Sequence, residues 1–200
     1  MANYGLKQFT HADLTTEGND LASCVYGNSS KLAGAISCQV SINTASGSLY
    51  SDDGLNTQID EFSNGTITLG VDDDDDEVFA NLMGNTVNDL TEGGKTIKEV
   101  VSKSSDTPKA VGFGHIITKI NKNVKKYKVE FFPKVTFKPF IVDGQTKNDS
   151  ISFGTPSVEG TIYALEDGTW EKHATFDNIA DAQTYLAGCF TKWNWIYSSN

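Results

Sequence analysis

Apolar and polar residues alternate most regularly between Lys125 and Ile141. Tyr127, Val129, Phe131, Pro133, Val135, Phe137, Pro139 and Ile141 hold the odd positions. Lys126, Lys128, Glu130, Phe132, Lys134, Thr136, Lys138 and Phe140 hold the even ones. Side chains of an extended chain point alternately to opposite faces, so this period of two predicts a half-buried β-strand. A helix would spread both sets around its circumference. At about 3.3 Å per residue the run spans roughly 50 Å, well beyond the usual strand of about 5–6 residues. Its two prolines cannot donate to a ladder, so the strand bends, bulges or lies at an edge there. Two ordinary strands broken near Pro133 are the alternative. A single strand of this length points to a wall or scaffold.

The remaining pattern is also mostly extended. A strand is predicted from Leu6 to Leu14, a loop over 17–31 and a strand from Leu32 to Ile42. Ser46–Tyr50 is followed by the turn Ser51-Asp52-Asp53-Gly54, whose Asp-Gly step accepts positive φ. Asn56–Phe62 and Gly65–Val71 continue as extended segments, with a turn expected at Asn64-Gly65. In Asp72–Gly84 the acidic residues gather where carboxylates cap free N–H groups and oppose the positive end of a helix dipole. Val78, Phe79, Leu82 and Met83 then share a helical face, and Gly84 stands as the C′ residue. Asp73 or Asp74 is the expected cap. Asn85–Gly94 reads as turns, and the β-branched content of Lys95–Ser104 favours a strand. Ala110–Ile120 and the long strand form one hairpin over 110–141 through Asn121-Lys122-Asn123. A loop over Gly144–Asn148 precedes strands at Ser150–Phe153, Val158–Leu165 and Thr169–His173. The last two are expected to pair through Glu166-Asp167-Gly168. Asp177 is expected to cap a final helix ended by Gly188. Many strands with two isolated helices predict a mainly-β sandwich or barrel whose helices cover open ends.

Two hundred residues suit a single domain over 1–200, with about 191–200 as a C-terminal extension. Cys24, Cys38 and Cys189 are odd in number and lack metal-ligand spacing, which favours small core residues in a reducing compartment. No apolar secretory segment opens the chain, and no run approaches the roughly 20 apolar residues of a membrane span. The net charge is −10 and all 16 basic residues are lysine. An acidic chain of this kind does not grip nucleic acid through its phosphates, whereas a negative surface lets DNA pass without sticking.

No motif carries catalytic chemistry. From Asp72, the sixth and twelfth positions that a calcium loop reserves for Gly and Glu are Glu77 and Met83, so the aspartate run reads as a helix start. Gly93-Gly94-Lys95-Thr96 lacks the earlier glycine of a phosphate loop, since Asp89 stands there. Gly112-Phe113-Gly114 lacks the third glycine of a dinucleotide site and reads as a strand at a tight packing point. His11, His115 and His173 are isolated in sequence. No catalytic residue, cofactor or metal is therefore assigned. Lys119, Lys122, Lys125, Lys126, Lys128, Lys134 and Lys138 make one basic hairpin in an acidic chain, either a solvated face or a contact for an acidic patch on another copy. Trp193, Trp195 and Tyr197 alternate near the end, as a sugar platform, a docked last strand or a self-association edge.

Seven segments together resemble the major tail protein family of long-tailed, non-contractile phages that infect Gram-positive bacteria. They are KLAGAI (31–36), SLYSDDG (48–54), GTITLGVDDDDDEVFANLMG (65–84), VGFGHI (111–116), KKYKVEFFPKVTF (125–137), FGTPSVEGTIYALEDGTW (153–170) and TFDNIADAQTYL (175–186). The resemblance implies a β-sandwich or barrel with a packed helix, assembled as hexameric rings stacked into a tail tube. The implied partners are further copies of the chain, a tape-measure protein and tail terminator and tip proteins, with DNA passing non-specifically through the lumen. The implied location is the virion tail, assembled in the host bacterial cytoplasm. Such an assembly leads to a further expectation. The edges of hairpin 110–141 are completed by neighbouring copies, with Lys125, Lys126 and Lys128 meeting Asp52 and Asp53 or the 72–76 run. The competing readings are a carbohydrate-binding β-sandwich module, a tube protein of another injection machine, and a small β-rich hydrolase for which no motif speaks.

Overall fold

The computed structural model describes residues 2–52, 54–139 and 155–191. In chain order these form β1 (Ala2–Thr16), β2 (Val25–Tyr26), β3 (Ser30–Lys31), β4 (Ala35–Ser51), β5 (Gly54–Val71), α1 (Asp76–Met83), β6 (Thr86–Glu92) and β7 (Lys95–Val101). After them come β8 (Ala110–Asn121), β9 (Val124–Phe137), β10 (Ser157–Ile162), β11 (Lys172–Phe176) and α2 (Ile179–Phe190). The chain is mainly β with two helices. One sheet runs in the order β2-β1-β8-β9-β10-β5-β4, with β3 added to β1 and β11 to β9, and β6–β7 form a separate ribbon.

The long strand passes through Pro133 unbroken, but its partners change there. Tyr127–Phe131 pairs with β11, and Val135–Phe137 pairs with β10. Against β8 the register steps from Val111↔Val135 to Phe113↔Phe132, so Pro133 and Lys134 of β9 oppose Gly112 of β8. This is a bulge centred on the residue that cannot donate a ladder hydrogen bond. The freed Pro133 carbonyl accepts the Tyr26 hydroxyl at 2.9 Å. The bulge also inverts the facing of side chains. Val129 and Phe131 pack beneath α2, whereas Phe132, Val135 and Phe137 enter the other core.

That other core is enclosed by the sheet itself. Phe9, Ile67, Leu69, Val111, Phe113, Phe132, Val135, Phe137, Val158 and Ile162, from five strands, form one buried cluster with Phe79, Leu82 and Met83 of α1. The two ends of the sheet approach each other through the segment that carries β3. It pairs with β1 at Thr10 and His11, and the Leu32 amide donates to the Phe9 carbonyl at 2.9 Å before the chain enters β4. On the outside, Ala182, Tyr185, Leu186 and Phe190 of α2 cover Ala12, Ile116, Val129 and Phe131. Gly112 and Gly114 permit this close approach: a Cβ at Gly112 would lie 2.6 Å from the Tyr26 ring, and one at Gly114 2.5 Å from Leu186 Cδ1.

Several local expectations are corrected. Asn64-Gly65 is no turn; β5 runs straight through it beside a bulge, and Gly65 leaves room for Ile42 and Ile162. Residues 86–92 are strand rather than turns, because Gly93 and Gly94, both at positive φ, reverse the chain into β7. β10 and β11 do not pair with each other but occupy successive stretches of β9. Asn178, not Asp177, caps α2, and Gly188 lies inside that helix. The expected loop at Gly144–Asn148, the strand at Ser150–Phe153 and the aromatic residues Trp193, Trp195 and Tyr197 lie outside the described residues.

The cap of α1 is Asp75, whose side chain accepts from the Glu77 and Val78 amides at 3.0 and 3.1 Å. Asp75→Ala should therefore lower stability by roughly 0.5–2 kcal/mol, while Asp74→Ala should have a smaller effect. Chemical denaturation of the two variants against the parent measures the difference, and equal losses would remove Asp75 from this role.

Candidate assembly surface

β4 and β5 pair with each other from Ala35↔Val71 to Ser51↔Gly54, the longest ladder in the chain. β10 covers β5 only over Gly65–Gly70. Beyond that limit the ribbon leaves the body, and residues 43–51 and 54–64 form an arm roughly 30 Å long at about 3.3 Å per residue. At its far end Asp52 takes a φ of 51° and turns the chain. At its root the Phe62 ring stacks on Trp170, with centroids 4.8 Å apart and planes within 1°.

Register divides the arm into two faces. Ala45, Gly47 and Leu49 lie opposite Glu61, Ile59 and Thr57, and Thr44, Ser46 and Ser48 lie opposite Phe62, Asp60 and Gln58. Leu49, Tyr50, Leu55 and Ile59 are each more than half exposed. An isolated two-stranded ribbon is marginally stable in water, and long exposed edges are ordinarily blunted by Lys, Pro or short length. Residues 43–64 contain neither Lys nor Pro. Two backbone edges without a strand partner among the described residues, and an apolar stripe, suit strand addition or face-to-face docking.

The arm was only partly legible. Its strands and a turn at Asp52 follow from the sequence. Its projection depends on where β10 stops, and no local pattern of β4 or β5 encodes that. The available signal was the run Thr44–Ser48, whose side chains are all small and supply little to a core.

The predicted interface residues fall on two different elements. Lys125, Lys126 and Lys128 lie just after the β8–β9 turn, where Lys122 and Asn123 both have positive φ. Asp52 lies at the arm tip, and Asp53 is outside the described residues. Hairpin 110–141 was expected to have edges that neighbours complete. Instead β8 is flanked by β1 and β9, and β9 by β8, β10 and β11, so this hairpin is the middle of the sheet. Much of its charge is also met within the chain. Lys126 pairs with Asp177 at 2.9 Å, Lys128 with Glu130 at 2.5 Å and Lys134 with Glu17 at 2.6 Å; Lys138 pairs with Glu159. Lys125 lies 5.6 Å over the Tyr4 ring.

Of the histidines isolated in sequence, two lie within ion-pair distance of a carboxylate. His173 Nδ1 lies 3.0 Å from Glu171. His115, fully buried, places Nε2 3.2 Å from Glu130, while its Nδ1 and that of the buried His11 have no partner among the described residues. Burial alone would raise the Glu130 carboxyl, but hydrogen bonds and charge from His115 and Lys128 hold it at about 2. Among the described residues no group of three His, Cys, Asp or Glu side chains is placed to hold a metal ion. All three cysteines are free, and burial pushes the Cys38 thiol up to about 12.

No protein-family model matches this chain, and no curated protein matches it.

Because the Glu130 carboxyl is lower in the folded chain than its ordinary 4.5, folding favours the ionised form. Its contribution is complete above about pH 4.5 and is lost as the pH falls toward 2. Unfolding midpoints followed from pH 6 to pH 2.5 should fall less steeply for Glu130→Gln than for the parent. Parallel curves would show that Glu130 does not couple to folding.

Proposed function

We propose that this chain is a structural subunit of a phage tail tube, whose copies form hexameric rings stacked around a tape-measure protein and later around passing DNA. The observation that carries the proposal is the arm. A ribbon with two open edges and an apolar face is poorly stabilised by its own chain and well suited to burial against another copy. The resemblance of seven ordered segments to major tail proteins supplies the kind of assembly. The rolled, helix-covered sheet is compatible with a tube wall, and the net charge of −10 suits a conduit that must not retain a polyanion. In this reading the remaining partners are tail terminator and tip proteins, and the location is the virion tail. A tube subunit of another injection machine would use the same features.

Replacing residues 45–61 by a two-residue turn should leave a monomer with near-parental near-ultraviolet dichroism, since the buried clusters draw nothing from that stretch. The same variant should form neither rings nor tubes by negative-stain microscopy at concentrations where the parent forms them. Rings from the shortened chain would remove the arm from assembly. A parent that stays monomeric at millimolar concentration would overturn the tube proposal itself.

A further inference from the structure

The strands of this fold separate two charged ends. At the β8–β9 turn, Lys119 stands directly opposite Lys126, and Lys122 and Lys125 lie within the same hairpin end. Like charges directly opposed across a ladder destabilise it. Asp177 answers Lys126, and Lys119 and Lys122 have no ion-pair partner among the described residues. The run Asp72–Glu77 lies at the other end. β5 is antiparallel to β10 and β10 to β9, so β5 and β9 run the same way. The acidic run leaves β5 beyond Val71, on the side where β9 ends at Phe137. On that side the Lys109 amide donates to the Leu82 carbonyl of α1 immediately before β8 begins. The 12 residues of β8 put about 40 Å between these ends at roughly 3.3 Å each.

The acidic end is also concave. Asp74, Asp76 and Asp106 border a cavity of about 410 Å³ whose apolar wall includes Phe79, Met83 and Val100, with Lys103 beside it. A carboxylate rim over an apolar wall fits a lysine, which buries its aliphatic stem and keeps its ammonium at the mouth.

We propose that the basic turn of one copy docks on the acidic run and adjoining cavity of a second copy, head to tail along the strand direction. This rests on the self-assembly proposed above and names its axial contact. A second copy is favoured over nucleic acid because the complementary carboxylates are on this chain, at the end a translated neighbour would present. The contact joins unlike surfaces, so it repeats in an open stack instead of closing as a two-fold dimer. Asp52 belongs to an arm that leaves β5 toward the basic end, which makes the 72–77 run, not Asp52, the axial partner of the lysines.

The test uses two charge reversals in the full chain. Lys122→Glu with Lys125→Glu cancels the positive charge of the turn; Asp73→Lys with Asp74→Lys leaves four acids and two lysines in the run 72–77 and keeps the Asp75 cap intact. Sedimentation at low salt should show each variant needing about tenfold more protein than the parent for half-maximal assembly, because the attraction between the two ends is then largely cancelled. An equimolar mixture should recover assembly, and salt should weaken both the parent and the mixture. Lys122→Gln with Lys125→Gln should give a smaller loss and guards against a folding defect in the reversed pair. Assembly of either reversed variant at the parental concentration overturns the contact, as does a mixture that stays unassembled. Binding of a short DNA duplex by the parent, lost on lysine reversal, with no recovery in the mixture, would assign the lysines to nucleic acid instead. Rings and tubes formed normally by both variants would sink this contact and leave the tube reading standing. Charge-dependent chains that are neither rings nor tubes would keep the contact and sink that reading.

Discussion

The change of partners along β9 at Pro133 governs how the two cores are arranged. In an unbroken ladder, Val129, Phe131, Pro133, Val135 and Phe137 would all face one way, and Phe132 would stand among the lysines. The bulge sends Phe131 outward beneath α2 and Phe132 inward, and both are buried. One strand thereby serves β11 and the outer helix with its first half, and β10 and the rolled interior with its second. The Pro133 carbonyl that the bulge strands is taken by Tyr26. Burial pushes the Tyr26 phenol well above its ordinary range, so it remains a donor at any ordinary pH. A buried backbone acceptor without such a partner would cost about as much as a lost hydrogen bond.

The charged side of β9 follows the same geometry. Asp177 and Glu17 each reach a lysine of this strand, and Glu159 reaches Lys138 just past its end. Exposed pairs are worth about 0–1 kcal/mol each, so they do not hold the sheet together. Glu130 differs because it is mostly buried, and it has the His115 imidazole on one side and Lys128 on the other. Removing either partner would leave a charge in a place where water cannot easily replace it.

Element type was largely legible from the sequence, and element pairing was not. Alternation marked β8 and β9, the Asp-Gly step marked the β4–β5 turn, and the aspartate run with Gly84 marked α1 at both ends. The errors share one physical origin. Asn64-Gly65 and Asn85–Gly94 carry turn residues, yet a Gly in a strand also serves close packing, as at Gly65, and Gly93-Gly94 turns a ribbon whose strands extend on both sides. The lysine hairpin reads as an edge in sequence because Lys and Pro usually blunt edges. Here Pro133 marks a bulge in the most central strand, and the lysines are answered by acids far away in sequence. Pairing over such separations leaves no local signature. For the candidate surface, the turn residue Asp52 and the lysines were visible as residues, but their placement on different elements was not.

Among the described residues the arm strands are open edges of this sheet, and they lack the usual protection. A chain that keeps such an edge without Lys or Pro, and with Leu49 and Ile59 on one face, risks uncontrolled pairing unless something specific covers it. The acids at Asp52, Asp60 and Glu61 limit that pairing by repulsion between like arms. Repulsion of this kind acts against contacts that place the same surface on both sides, and such contacts end as two-fold dimers. It leaves contacts between unlike surfaces, which continue from copy to copy. The separation of the lysine turn from the acidic helix start along β8 acts in the same direction. Both devices disfavour the closed dimer and leave contacts between unlike surfaces, the kind on which the proposed assembly depends.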